Sequence, residues 1–258
     1  MSPVDVIRHS DEQSLADAAA ARLITSIVER QAATGSASVC LTGGGIGTAM
    51  LAAVAHSPAV DSVDWRAVDI WWGDERYLPS GDPERNETGA RTALLDRVRV
   101  DPTRVHHMPT PEESDDDVDA AAARYSDTLR DAAMRQGRHD VPSLDVVLLG
   151  IGHDAHVASL FPDQPALHDE RPCTAVRGAP KPPPVRITLT LPTLNAAREV
   201  WILASGVEKA SAIHLALMTE SGALQVPAAG VRGLERTLFL VDEAAASKLP
   251  ATMGRPGA

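Results

Sequence analysis

The chain has 258 residues, 44% of them hydrophobic, and carries a formal charge of −11 at pH 7, with a pI near 5.2. That length suits one large α/β domain or two small ones, and the apolar fraction fills a core without disulfide or metal staples. The acidic balance, with no run of more than two basic neighbours, excludes nucleic acid and anionic membranes as main partners, because both demand a basic footprint. Met1 to Asp11 is charged and lacks an apolar segment of the signal-peptide kind, so no signal peptide is expected. Nor does any stretch approach the roughly 18 uninterrupted apolar residues of a membrane-spanning helix.

Taken in order, the elements alternate between helix and strand. Leu15, Ala19, Leu23 and Ile27 keep helical spacing from Ser14 to Ala33, and Ala37 to Leu41 is a short apolar strand. Thr42-Gly43-Gly44-Gly45 breaks that strand ahead of a helix over Thr48 to Ala55. A strand at Val68 to Trp72 ends in Gly73-Asp74-Glu75-Arg76, and helices follow over Asn86 to Arg97 and Asp119 to Arg135. The run Asp115-Asp116-Asp117 before the second reads as a solvated helix start, since acids suit the positive end of the helix dipole. Further strands are expected at Asp145 to Leu149, Cys173 to Val176, Val185 to Leu189, Val200 to Ala204 and Thr237 to Val241. Helices are expected at Val207 to Met218 and Glu243 to Ser247, and the tail from Pro250 is expected to fray. Lys181-Pro182-Pro183-Pro184 is a stiff extended spacer and not a domain linker. With no internal repeat, the expected architecture is a single α/β domain over 1–258, with a doubly wound, mostly parallel sheet and helices on both faces.

Chemistry-bearing residues gather where strands end. The apolar run Leu144 to Leu149 stops at Gly150-Ile151-Gly152, and Asp154 and His156 follow at once. In open α/β sheets the ligand crevice lies at the carboxyl ends of strands, and an acid beside an imidazole fixes the tautomer of a general base. The loop from Thr42 to Thr48 joins a strand to a helix, where exposed N–H groups and glycine admit a phosphate. It is no dinucleotide fingerprint, because Thr48 takes the third glycine position, and no P-loop, because no Gly-Lys-Ser/Thr follows. Asp74 and Arg76 are either a surface ion pair or a grip on substrate hydroxyls and oxyanions, while Trp71 and Trp72 are either core or pocket wall. Lys209 begins a helix, a place where a cation is unfavourable unless an anion accompanies it, and Arg186 opens an alternating strand. His153, Asp154 and His156, with His106 and His107, lack the spacing of a metal site, so no metal or other cofactor is expected. Cys40 and Cys173 lie in apolar surroundings and suit a reducing cytoplasm, with one disulfide between them left open.

Together, Thr42 to Gly45, Trp72 to Arg76, Asn86, Gly150 to Pro162, Arg186 to Leu194 and Ser205 to Lys209 resemble the 6-phosphogluconolactonases, in that family's order. The resemblance runs from about Asp17 to Val241 and is most specific at Asp154 to Pro162. It implies a fold shared with the glucosamine-6-phosphate deaminases and hydrolysis of 6-phospho-D-glucono-1,5-lactone, a small sugar-phosphate ester. It also implies roles: Asp154 and His156 as the catalytic pair, and Asp74 and Arg76 as active-site residues. Substrate and phosphate binding falls to Gly43, Gly44, Gly45, Thr48, Asn86, Arg186 and Lys209. Two departures stand out. Thr42 and Gly45-Ile46-Gly47 replace the family's usual Ser-Gly-Gly-Ser-Thr-Pro loop, and Ala155 stands where glycine is usual, which is awkward if that position needs φ above zero. The rival deaminases carry a Glu where Phe161 stands here, which favours the lactonase; a non-catalytic sugar-phosphate sensor is a third alternative. Whether the chain is a monomer or a homo-oligomer is not legible.

Overall fold

The computed structural model describes residues 3–218 and 222–257; Met1, Ser2, Thr219, Glu220, Ser221 and Ala258 of the expected domain span lie outside the described residues. Its first elements are β1 (Val4–His9), α1 (Glu12–Thr34), β2 (Ala37–Leu41), α2 (Gly45–His56), β3 (Val68–Trp72), β4 (Asp74–Arg76), α3 (Asn86–Ala93) and α4 (Val118–Arg135). Then come β5 (Val146–Gly150), β6 (Cys173–Val176), β7 (Arg186–Leu189), α5 (Leu191–Asn195), β8 (Glu199–Ala204), α6 (Ala210–Met218), α7 (Pro227–Gly230), β9 (Arg236–Asp242) and β10 (Arg255–Pro256).

Seven strands form one sheet in the order β10-β1-β9-β8-β5-β2-β3, and every pairing in it is parallel. From β2 the chain moves outward to β3, whereas from β5 it moves the other way, to β8 and then β9. Right-handed crossovers running in opposite directions place their helices on opposite faces, so the sheet is doubly wound, as expected. The connections diverge between β2 and β5, and this switch point opens a crevice at the carboxyl ends of both strands. A second, antiparallel sheet, β4-β7-β6, stands beside that crevice.

Local chemistry explains the main helices. Asp11 caps α1 by accepting from the Ser14 N–H at 2.8 Å, and Gly35 ends it in the left-handed region. Leu15, Ala19, Leu23 and Ile27 are buried along one stripe. Asp117 caps α4 through the Asp119 and Ala120 N–H groups, so the acidic run is the helix start its charge suggests. Trp71 and Trp72 are both core residues, at 1% and 0% exposure. Cys40 and Cys173 are free, buried thiols, both pushed up by burial.

Four expectations need correction. Val4 to His9, read only for a leader, is a strand between β9 and β10; Asp5 and Arg8 interrupt its apolar pattern. Glu243 to Ser247 forms successive turns, because the Asp242 carboxylate takes the Ala245 N–H at 2.7 Å and Pro250 follows closely. The helix expected over 86–97 stops at Ala93 and finishes as a 3₁₀ turn at Leu95–Arg97. The tail from Pro250 does not fray across the described residues: Arg8 donates to the carbonyls of Met253 and Pro250, and β10 pairs with β1. Among the described residues, no helix is long and apolar enough to cross a membrane.

Candidate active site

The crevice at the switch point is lined by Thr42, Gly43 and Gly44 from the end of β2, and by Gly150, Ile151 and Gly152 from the end of β5. Asp74 and Arg76 of β4, Asn86 of α3, His156, Ala158, Lys181, Pro182, Arg186 and Lys209 complete its wall. Thus most of the candidate residues, contributed by six stretches of chain, meet in one cavity. Gly45 and Thr48 are not among its lining residues. Gly44, at φ 81°, turns the chain into α2, and Thr48, one helical turn on, bonds its N–H back to the Gly44 carbonyl at 3.0 Å. Thr42 uses its hydroxyl oxygen to accept the Gly150 N–H at 3.2 Å, tying the two loops across the switch point.

His156 sits in a tightly wound loop. The Gly152 N–H donates to the His156 carbonyl at 2.9 Å, and the Ala155 N–H to the Gly152 carbonyl at 3.0 Å. Ala155 takes φ 63°, so the position does demand the left-handed region where glycine is usual. Gly152 is needed for space: a Cβ there would stand 2.0 Å from His156 Nδ1. His156 Nδ1 lies 2.5 Å from Asp154 Oδ1, with Asp154 behind the ring and outside the cavity lining. Partial burial raises the Asp154 carboxyl, but the hydrogen bond and charge of His156 outweigh it and hold Asp154 at about 2. A carboxylate only accepts, so Nδ1 carries a proton, and in the neutral ring Nε2 holds the lone pair. Among the described residues, Nε2 meets no hydrogen-bond partner. Phe161 packs against the imidazole with ring centroids 4.4 Å apart.

Asp74 and Arg76 are not paired with each other. Asp74, 7% exposed, accepts from Ser159 Oγ at 2.6 Å and from Asn86 Nδ2 at 3.3 Å. Alternation along β4 turns Glu75 to the opposite face, where its carboxylate accepts the N–H groups of Arg76, Asn86 and Glu87 at 2.7–2.8 Å. It thereby caps α3 from a neighbouring strand, beside the buried Arg85 guanidinium at 3.8 Å. Burial pushes the Glu75 carboxyl up to about 7 against the pull of Arg85 and those N–H groups. Asn86 lies so close to Gly43 that a Cβ on the glycine would stand 1.9 Å from Asn86 Oδ1.

Part of the cavity wall is cationic, with the Arg186 guanidinium 5.7 Å above the Phe161 ring that packs on His156. Arg76 and Arg186 face each other directly in the β4–β7 register, an unfavourable cross-strand pair of like charges. Arg76 donates to the Glu84 carbonyl and leaves its buried Nε without a partner. Arg186 donates to the carbonyls of Pro183, Lys181 and Pro182, and burial lowers its pKa. Lys209 is half-buried and is held below its ordinary value by that burial and then by the Lys181 ammonium. Its ammonium forms no hydrogen bond or close ion pair with another described residue. His153 is exposed and is lowered chiefly by the Lys209 charge. His106 stacks on Trp71 and bonds Asp69, and His107 bonds Glu113, so neither converges on His156. Among the described residues, no group of three or more His, Cys, Asp or Glu side chains could hold a metal ion.

The family profile described as Glucosamine-6-phosphate isomerases/6-phosphogluconolactonase matches residues 10–239. A 6-phosphogluconolactonase of Streptomyces coelicolor is 55% identical over 253 residues, which cover 97% of each chain. The chain belongs to the 6-phosphogluconolactonase family. A 6-phosphogluconolactonase of Mycobacterium leprae is 43% identical over 93% of this chain and 96% of its own. The structure of 6-phosphogluconolactonase from Trypanosoma cruzi superimposes with a TM-score of 0.81 at 25% identity, covering 97% of this chain and 99% of that one. Against the family resemblance, the sequence missed Ser159 and Glu75. Neither lines the cavity, and their roles depend on partners 85 and 11 positions away in the chain.

Proposed function

We propose that the protein hydrolyses 6-phospho-D-glucono-1,5-lactone to 6-phospho-D-gluconate, with His156 as general base. The observation that carries this reading is the pair His156 Nδ1–Asp154 Oδ1 at 2.5 Å, which leaves Nε2 open in a cavity also lined by Arg76, Lys181, Arg186 and Lys209. A lactone carbonyl is already electrophilic, so hydrolysis needs an activated water and donors for the developing oxyanion. His156 Nε2 takes a proton from water as the oxygen attacks C1. Asp154 stabilises the imidazolium that forms. When the tetrahedral intermediate collapses, the C1–ring oxygen bond breaks and His156 returns the proton to the leaving oxygen.

Arg76, or the open N–H groups where α2 begins, would receive the oxyanion. Arg186, Lys209 and the Gly43–Gly44 backbone would hold the phosphate, so that remote binding energy orients the carbonyl. The like-charged pair Arg76 and Arg186 supports an anionic ligand, because a bound anion would relieve their mutual repulsion. Asp74 has its oxygens engaged by Ser159 and Asn86, which suits a wall for substrate hydroxyls better than a second base. Phe161, buried at 1% exposure against His156, offers no acid for the sugar-ring opening that the deaminase reading requires.

The test is a lactone-hydrolysis assay with 6-phosphogluconolactone, run beside an ammonia-release assay with glucosamine 6-phosphate. Turnover of the lactone above its spontaneous rate, without ammonia release, is expected. Ammonia release without lactone turnover would reverse the assignment, and ligand binding without either would mark a sensor.

A further inference from the structure

Asp242, the last residue of β9, is 4% exposed and lies outside the cavity, yet its carboxylate gathers four donor contacts. Oδ2 accepts from Ser205 Oγ at 2.7 Å and from the Gly206 N–H at 3.0 Å. Oδ1 accepts from the Ala245 N–H at 2.7 Å and shares the Gly206 N–H at 3.2 Å. Ser205 Oγ also lies 3.0 Å from Glu12 Oε2, in the first turn of α1. Among the described residues no basic side chain pairs with this carboxylate, which is held by hydrogen bonds.

The turn it holds is the one that delivers Lys209. Gly206, at φ 93°, leaves the end of β8, and its carbonyl accepts the Lys209 N–H at 3.0 Å to close the 3₁₀ turn Val207–Lys209. A negative charge near a phosphate grip is electrostatically adverse, so its use here is geometric. Only an acceptor with two oxygens can take the Ser205, Gly206 and Ala245 donors at once. We propose that Asp242 is a positioning residue for substrate phosphate: it pins the Ser205–Gly206 turn and thereby aims Lys209 into the cavity. This rests on the reading of Lys209 as a phosphate ligand.

Asp242→Asn tests it, because the amide keeps the shape but turns one acceptor into a donor facing Ser205 and Gly206. The readout is inhibition of lactone hydrolysis by 6-phosphogluconate and by gluconate, with Lys209→Ala measured alongside. Asp242→Asn is expected to weaken 6-phosphogluconate about 5- to 20-fold while leaving gluconate unchanged within about 2-fold. Equal weakening of both ligands, or no weakening, while Lys209→Ala remains phosphate-selective, overturns the proposal alone. If Lys209→Ala shows no phosphate selectivity, the reading of Lys209 falls and the proposal with it. Should Asp242→Asn fail to fold, Ser205→Ala removes one of the four donor contacts and should cost phosphate affinity about 2- to 4-fold; a loss without selectivity overturns the proposal in the same way.

Discussion

The loop after β5 and the cationic residues that line the same cavity are built on opposite principles. In the loop nearly every polar group is engaged: Gly152 with His156, Ala155 with Gly152, Asp154 with His156 and Ser159 with Asp74. Among the described residues, His156 Nε2 is left open at the cavity wall. On the rim, among the described residues, the Lys209 ammonium stands without a hydrogen-bonding partner, Arg76 Nε is unpaired, and two arginines oppose each other across strands. The contrast follows from the tasks. Proton transfer needs one lone pair held within tenths of an ångström, whereas an anion is held by charge that must stay unsatisfied until the ligand arrives. Loop substitutions should therefore act on kcat, and rim substitutions on affinity for the phosphorylated ligand.

The largest effect should come from breaking the pair that fixes the tautomer. Asp154→Asn should fold normally and lose about 10²–10⁴-fold in kcat with little change in KM, the span of a lost proton-transfer device. A change confined to KM would move Asp154 to the binding side of the comparison. Gly152→Ala should cost about 10²-fold in kcat, since its Cβ would displace the imidazole, while Gly45→Ala, with no neighbour within 4 Å, should stay near wild type. Equal activity of the two alanine variants would show that the loop is not rigid. On the rim, Lys209→Ala or Arg186→Ala should weaken 6-phosphogluconate roughly 10- to 150-fold, through loss of a charged hydrogen-bond partner worth about 1.5–3 kcal/mol. Gluconate should bind as before; equal loss for both ligands in a normally melting variant would remove these residues from the phosphate.

A smaller effect separates the two kinds of carboxylate by pH. Glu75 is raised from 4.5 to about 7 in the folded protein, so the native state binds its proton more tightly and gains stability as pH falls through that window. The melting-temperature gap between wild type and Glu75→Gln should shift in favour of wild type from pH 8 to pH 5. A shift toward the variant would mean the cap on α3 keeps Glu75 ionised. Asp154, lowered from 3.8 to about 2, has the opposite sign: its contribution is present above 3.8 and is lost as pH falls through 2. The smallest effect expected is none: exhaustive chelation should leave the rate unchanged. Activity lost to chelator and restored by zinc would pass water activation from His156 to a metal.

Legibility followed the range of the interactions. The doubly wound sheet could be read from alternating periodicity, and the loops after β2 and β5 from glycines at strand ends, because both signals are local. His156, Asp74, Arg76, Arg186 and Lys209 could be named as candidates from short local motifs and the family resemblance; the structure gathers them around one cavity, with Asp154 beside His156. Ser159 gave no signal of its own, since its partner Asp74 lies 85 positions away, and Glu75 was given no role because capping α3 depends on residues 11 and 12 positions on. β1 was hidden by Asp5 and Arg8, which dilute an apolar pattern that neighbouring strands complete. The five-residue helix expected at Glu243 competes with a side chain, Asp242, that captures the backbone donor such a helix would use.

The central claim is that His156 is the base that activates water. It is tested most directly by the turnover of 6-phosphogluconolactone by His156→Ala, with spontaneous hydrolysis subtracted and folding checked by melting. A loss of about 10²–10⁴-fold in kcat, with affinity for 6-phosphogluconate retained, is the predicted result. Turnover like that of wild type would contradict it and would pass the role to Asp154 or Asp74.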